Sequence, residues 1–322
     1  MMKGKKFKKF AAMILSAVLL IASMSVANTN MTKAEAATST VKCEQLYVPT
    51  YAAMSGKIMY YAVGTETQGG QLYMYNTSTK CQRKISNLFC SELTVTKNNL
   101  YCTVNRYIGS DGADRYIYKL SRDGKKAVAL ASGFSPVVVG KNIYYIGVKK
   151  FKTSYNRYEN SIGIYRMDSN GKHKKCIKKF TGSFSTSKLI AGKNRVIFTA
   201  GNGAVYAINT KGKMSRTKLS SKNVCINSRN YGSWRMRDTI MNKLPISNNK
   251  YGYRYNINGG VLARYKGNDR KTILNVSYRY SGIDSVVDCG DYLFAVVDGT
   301  YAYVVSKSGK GLKIVATGLF GN

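Results

Sequence analysis

The chain has 322 residues, with 51 Lys+Arg against 15 Asp+Glu, one histidine and a formal net charge of +36. That charge is too large for an ordinary near-neutral enzyme surface. A lone histidine, His173, excludes a multi-histidine metal site and argues against Ser-His-Asp chemistry. With 44% hydrophobic and 20% charged residues, the chain is expected to pack a core rather than stay disordered.

Met1 to Phe10 carries five lysines, and Ala11 to Ala27 is free of charge. A basic start, an apolar run and small residues at a cleavage point form a secretory signal. Cleavage is preferred after Ala36 (Ala34-Glu35-Ala36), so that residues 1–36 are the signal peptide and Ala37 begins the mature chain. Cleavage between Ala27 and Asn28 is the alternative. The apolar run is at the lower limit for a membrane span, and no second one follows, so no transmembrane segment is expected after cleavage. Removing 1–36 takes away six lysines and one glutamate and leaves a net charge of +31. The basicity therefore belongs to the folded part. The expected location is secreted or attached to the cell surface. Seven cysteines remain (43, 81, 90, 102, 176, 225 and 289), none in a C-x-x-C spacing. The expectation is buried, small-apolar cysteines with room for one bridge.

The rest of the chain repeats. Each unit opens on a short β-branched and aromatic run: MYYAV from Met59, LYCTV from Leu100, IYYIG from Ile143, VIFTA from Val196, YGYRY from Tyr251 and YLFAVV from Tyr292. A second run then leads into a tight turn: LYMYNTSTK from Leu72, IYKLSRDGK from Ile117, IYRMDSNGK from Ile164, VYAINTKGK from Val205, LARYKGNDR from Leu262 and AYVVSKSGK from Ala302. Its second position is tyrosine in five of the six, the exception being Ala263, at a spacing of about 46 residues. A third run follows the turn (Ala127 to Ala131, Cys176 to Phe180, Leu312 to Thr317). A fourth follows that (Leu93 to Thr96, Pro136 to Val139, Lys188 to Ala191, Ser285 to Cys289). Four short strands per repeat predict an all-β fold: a six-bladed β-propeller of four-stranded antiparallel blades. The domain is 37–322, with blade cores at about 58–96, 99–139, 142–191, 195–249, 250–289 and 291–322. The last copy lacks a fourth strand, and the stretch 41–54 is expected to supply it and close the ring.

The Gly-x-x-Ile-Tyr-Tyr start (Gly140 to Tyr145) and the Ile-Tyr-x-x-Asp-x-x-Gly-Lys hairpin (Ile164 to Lys172) resemble a domain of unknown function found in Gram-positive bacteria. That domain is a secreted six-bladed propeller similar to the low-density-lipoprotein-receptor-related propeller. The resemblance covers about Val41 to Asn322 and implies an exported, non-catalytic module with no assigned active site. The Tyr-Trp-Thr-Asp run of the receptor type is absent, so no receptor-type ligand residue carries over.

In an antiparallel meander successive loops alternate between the two ends. The short turns that end in Lys80, Lys125, Lys172, Lys213, Arg270 and Lys310 share one end. Their plainer reading is as solvated hairpin tips. The long stretches share the other end: Asn105 to Arg115, Lys149 to Ile162 and Ser221 to Asn249. They interleave arginine and aromatic residues, a pattern suited to ring stacking with anion pairing. The ligand-binding candidates are therefore Arg106, Tyr107, Tyr155, Arg157, Tyr158, Arg229, Tyr231, Trp234, Arg235 and Arg237, and blade 5 adds Arg254 and Tyr255.

No catalytic residue is assigned. Glycosidases need two positioned carboxylates, and here only Glu66, Asp111, Asp114, Glu159, Asp238 and Asp298 are candidates for converging. The cluster Asp284, Asp288, Asp291 and Asp298 lacks a calcium-loop spacing and reads as turn residues, so no metal and no cofactor are expected. The function expected is an exported binding module and monomer, with an anionic wall polymer, an acidic glycan or a protein as partner. A glycan-active hydrolase or lyase is the alternative. Export makes nucleic acid the weaker partner.

Overall fold

A computed structural model describes residues 44–65, 69–107, 113–152, 157–181, 186, 188–230, 244, 246, 253–258, 260–276, 282–298 and 301–316. The chain divides into two compact units, Met1–Val41 and Lys42–Asn322, and the described residues all lie in the second. The fold is all-β. Among the described residues there is no helix, hence none long and apolar enough to cross a membrane.

Strand β1 (Glu44–Leu46) is followed by a succession of antiparallel meanders. The first runs through β2 (Ala52–Ser55), β3 (Ile58–Thr65), β4 (Gly69–Asn76) and the start of β5 (Gln82–Val95). The second uses the end of β5, then β6 (Asn99–Tyr107), β7 (Ala113–Ser121) and the start of β8 (Ala127–Val139). The third uses the end of β8, then β9 (Asn142–Lys152), β10 (Arg157–Asp168) and β11 (Lys175–Lys179). Because β5 and β8 are each shared, these three meanders form one ten-stranded sheet. The fourth is β12 (Ile190–Ala191), β13 (Arg195–Thr199), β14 (Val205–Asn209) and β15 (Met214–Arg216). After β16 (Val224–Ile226) and β17 (Ser228–Asn230), the fifth shows β18 (Arg254–Asn258), β19 (Val261–Lys266) and β20 (Asp269–Asn275). The sixth is β21 (Ile283–Cys289), β22 (Tyr292–Val297), β23 (Tyr301–Ser306) and β24 (Leu312–Ala316), with β17 beside β21.

The pairing corrects two expectations. The fourth run of each repeat opens the following meander instead of ending its own: Val95 pairs with Leu100, Val139 with Asn142, Ala191 with Val196 and Cys289 with Tyr292. The reason is a break within each long strand. In β5 the register shifts between Ser91 and Thr94, where Glu92 has φ 52°; in β8 it shifts between Phe134 and Val137, where Ser135 has φ 55°. Gly133, at φ 151°, precedes the second break, and a Cβ there would lie 2.3 Å from the Ile146 carbonyl oxygen. The chain bends at these points and leaves one partner for the next, as bulges allow. The second correction concerns closure. Ala52–Ser55 pairs with β3 as the first strand of the first meander, and β1 pairs in parallel with β16. Among the described residues no N-terminal strand hydrogen-bonds to the last sheet.

The repeated tyrosine has a packing cause. Tyr73, Tyr165 and Tyr206 stand directly across from Tyr61, Tyr145 and Phe198 on the neighbouring strand. Their rings stack with centroids 5.6, 5.7 and 5.7 Å apart. Such cross-strand aromatic pairs stabilise a sheet beyond the area they bury. Burial grades across each meander. β22 is buried from Leu293 to Val297, whereas β20 is exposed over its first four residues.

Six core clusters join the meanders face to face. Cys102 with Ala62 and Leu72 joins first and second. Tyr101 with Tyr145 joins second and third. Ile146 with Phe198 joins third and fourth. Ile197 with Ile226 and Leu244 fills the space after the fourth. Leu262 with Leu293 joins fifth and sixth. The remaining cluster sets Met59, Tyr61 and Tyr75 of the first meander against Phe294, Val296 and Val304 of the sixth.

Candidate ligand face

The first four meanders and the sixth each make two tight turns at the same edge, one after the first strand and one after the third; in the fifth the described residues show the turn between β19 and β20. Their residues explain them. Asp168 Oδ1 accepts from the backbone N–H groups of Asn170 and Lys172, and Asn209 Oδ1 does the same for Lys211 and Lys213. Short Asx side chains that bond the backbone a few residues on are turn formers. These bonds hold the Asp168 carboxyl below the usual carboxylate range, chiefly through the Lys172 N–H and then His173. The Ser121 hydroxyl does the same for Asp123.

The turns carry cations. Lys57, Lys97, Lys141 and Lys193 sit in the first turns of the first four meanders, and all four are exposed. Lys80, Lys125, Lys172, Lys213, Arg270 and Lys310 sit at the other turns and are exposed as well. Lys80 lies over the Tyr292 ring at 5.5 Å.

Beside the first turns lies a cavity of about 760 Å³, with Gly56, Thr96 and Gly290 in its wall. The segment 45–49 crosses it. Tyr47 exchanges both backbone hydrogen bonds with Ala191, each 2.8 Å. The Asn227 side chain clamps Val48, accepting from its N–H at 2.7 Å and donating to its carbonyl at 3.2 Å. Asp288 donates its N–H to the Asn227 carbonyl. At one side Lys307 Nζ meets Asp288 Oδ1 at 2.6 Å, with the lysine side chain 2% exposed and the carboxylate 11%. The Gly290 N–H also donates to Asp288 Oδ1, and Arg264 donates to the Lys307 carbonyl. A buried ammonium needs such a partner, because desolvation of an unpaired charge costs several kcal/mol. Tyr47, by contrast, is 58% exposed.

The residues singled out from the sequence are not gathered in one place. Tyr155, Tyr231, Trp234, Arg235 and Arg237 lie outside the described residues, as do the side chains of Tyr107, Arg157, Tyr158 and Arg229. Arg106 is exposed, lies over the Tyr116 and Tyr118 rings at 5.3 and 5.6 Å and donates to the Tyr118 hydroxyl. Arg254 is exposed on β18. Tyr255 is 5% exposed and belongs to the core between fifth and sixth meanders, with Lys307 Nζ 5.9 Å from its ring centroid. It is therefore a packing residue, because alternation along β18 turns it inward. Of the acids weighed for catalysis, Asp114 is buried and Asp298 accepts the Gly282 N–H; Glu66, Asp111 and Asp238 lie outside the described residues, as does the side chain of Glu159. Among the described residues no group of His, Cys, Asp and Glu is placed to hold a metal.

The sequence pointed to the long-loop edge and left the cavity unseen. Its lining comes from positions between 45 and 307, so no local motif announces it. The one signal was the acidic cluster that contains Asp288 and Asp291.

No protein-family model matches the chain, and no curated protein matches it either. Among solved structures, a puromycin-hydrolyzing peptidase of Mycobacterium tuberculosis is 8% identical with a TM-score of 0.47, over 84% of this chain and 54% of that one. Virginiamycin B lyase from Staphylococcus aureus is 10% identical with a TM-score of 0.36, over 80% and 95%. BamB from Moraxella catarrhalis is 10% identical with a TM-score of 0.32, over 85% and 74%. The chain spans about half the length of the peptidase. At this identity and overlap the likeness assigns neither activity nor ligand.

Proposed function

We propose that this chain is an exported six-bladed β-propeller, monomeric, that binds an anionic polymer of the cell envelope through its lysine-bearing turn edge. The observation that carries the reading is the alignment of exposed cations on one edge of successive meanders, beside a cavity. Lys57, Lys97, Lys141 and Lys193 form an inner row and Lys80, Lys125, Lys172 and Lys213 an outer one. A row of like charges held on a rigid sheet edge attracts a polyanion more than scattered surface charges do. Ring closure is supported by the cluster between first and sixth meanders, which packs side chains where no strand pairing among the described residues links them. Export is supported by the basic, apolar and small-residue N-terminal pattern.

The test is co-sedimentation of the secreted chain with Gram-positive wall sacculi, intact or stripped of anionic polymer, at about 20 mM and about 500 mM salt. The expected result is pelleting with intact sacculi at low salt, lost on stripping and at high salt. The quadruple variant Lys57→Gln, Lys97→Gln, Lys141→Gln, Lys193→Gln should pellet at least tenfold less. Equal pelleting of the variant, or none by the parent chain, overturns the reading. In the second case a protein partner or a glycan substrate becomes the better assignment.

A further inference from the structure

We propose that the cavity beside the first turns is a saccharide subsite, in which the Tyr47 ring stacks on one pyranose of an acidic polymer. This deepens the polymer-binding reading and rests on it for the choice of ligand class.

Tyr47 is the starting point. Tyr60, Tyr61, Tyr75, Tyr101 and Tyr144 are at most 2% exposed, whereas Tyr47 is 58% exposed although it lines a cavity. An aromatic ring left in water costs solvation free energy unless something covers it. Its mount is rigid, since Ala191 holds its backbone on both sides and Asn227 holds the next residue. A ring pre-positioned in this way loses little freedom when a ligand stacks on it.

The remaining wall matches a sugar better than a lipid chain or an inorganic anion. Val48, Ala53, Leu93 and Val138 supply apolar surface for the C–H face of a ring. Thr94 donates its hydroxyl to the Pro136 carbonyl at 2.7 Å and keeps lone pairs that accept a ligand hydroxyl. The hydrogen bonds from Lys307 and Gly290 to the Asp288 carboxylate both fall on Oδ1, which leaves Oδ2 to accept another. Lys307, Asp288 and Asp291 make this wall polar, which disfavours a hydrocarbon tail, and two carboxylates against one ammonium disfavour a bare anion inside. Positive charge stands beside the cavity instead: exposed Lys57 and Lys97 directly follow the lining residues Gly56 and Thr96 in the chain. A polymer with acid groups and pyranose rings meets both zones at once: rings inside, carboxylates at the lysines. The volume suits a small ligand rather than a folded partner.

The probe is tetragalacturonate, titrated calorimetrically into the full chain as secreted. The expected result is binding of one tetrasaccharide per chain, weakened about tenfold or more in Tyr47→Ala and retained in Tyr47→Phe. The exposed Tyr47 position lets the alanine variant fold, and an unchanged melting temperature checks this. Affinities of parent and Tyr47→Ala within twofold of each other, or no binding by the parent, overturn the proposal. The two readings fail separately. Sacculus pelleting that persists without tetrasaccharide binding sinks the cavity and leaves the lysine edge. Tyr47-dependent tetrasaccharide binding without pelleting sinks the wall polymer and leaves the cavity.

Discussion

Lys307 shows how far a single charge depends on its neighbours. It sits in a turn, where most lysines of this chain are exposed, yet it is 2% exposed and lies against Asp288. Truncation to Lys307→Ala leaves the carboxylate buried without its counter-charge and should cost about 3 kcal/mol, read from denaturant midpoints. Lys307→Met with Asp288→Asn should cost markedly less, because neither uncompensated charge remains. The thiols differ by the same logic. Burial pushes the thiols of Cys102 and Cys289 up, with Cys90 and Asp288 adding to the effect, whereas Cys81 is exposed. At pH 8 a maleimide should therefore label Cys81 in the native protein and reach the buried Cys90, Cys102, Cys225 and Cys289 only after unfolding; native labelling of these four would contradict their placement. Asp168 gives a pH signature. Its folded pKa is depressed, so its contribution is present above about pH 4, the unfolded value, and is lost as pH falls through the folded one. The stability gap between the parent and Asp168→Ala should shrink from pH 6 to pH 3.

Turns and strands are the elements most legible in the sequence. Asp123-Gly124 and Asn170-Gly171 announce hairpins, and hairpins are what form there. Gly124 has φ +77°, and a Cβ would fall 2.1 Å from the Ile85 carbonyl oxygen; Gly56 has φ +60° with nothing within 4 Å. Gly56→Ala should thus cost about 1 kcal/mol, the left-handed backbone penalty alone, and Gly124→Ala at least about twice that. Equal costs would mean that Ile85 moves aside freely. The repeated tyrosines were legible as a pattern, and their cause is the cross-strand stack on the neighbouring aromatic. What the pattern does not carry is the partner of each strand. A run such as Leu93 to Thr96 reads the same whether it pairs backward or forward; only the left-handed Glu92 and the shifted register decide. The candidate site suffered more. Tyr47 fell in a stretch expected to act as a closing strand, and its placement depends on Ala191, which bonds it, and Asn227, which bonds Val48, both more than a hundred residues away.

At the scale of the whole molecule the question is what joins first and last meanders. Backbone pairing would have been visible as an orphan strand, but side-chain packing leaves no such mark. Tyr61 stacks on Tyr73 at 5.6 Å and tilts against Phe294 at 5.2 Å, both rings of that contact being fully buried. Phe198 is equally buried between third and fourth meanders. In a closed ring every junction is held by neighbours on both sides, so Phe294→Ala and Phe198→Ala should each cost about 3–5 kcal/mol. In an open arc the terminal meanders fray, and a side chain in a frayed contact costs little to remove. Native-state hydrogen exchange separates the cases without mutation. With closure, the amides of β3 and β22 open only with the whole domain, at the same free energy as those of β9 and β13. Faster exchange confined to β3 and β22, together with a small cost for Phe294→Ala, would mean that the first and sixth meanders separate while the middle of the chain stays folded.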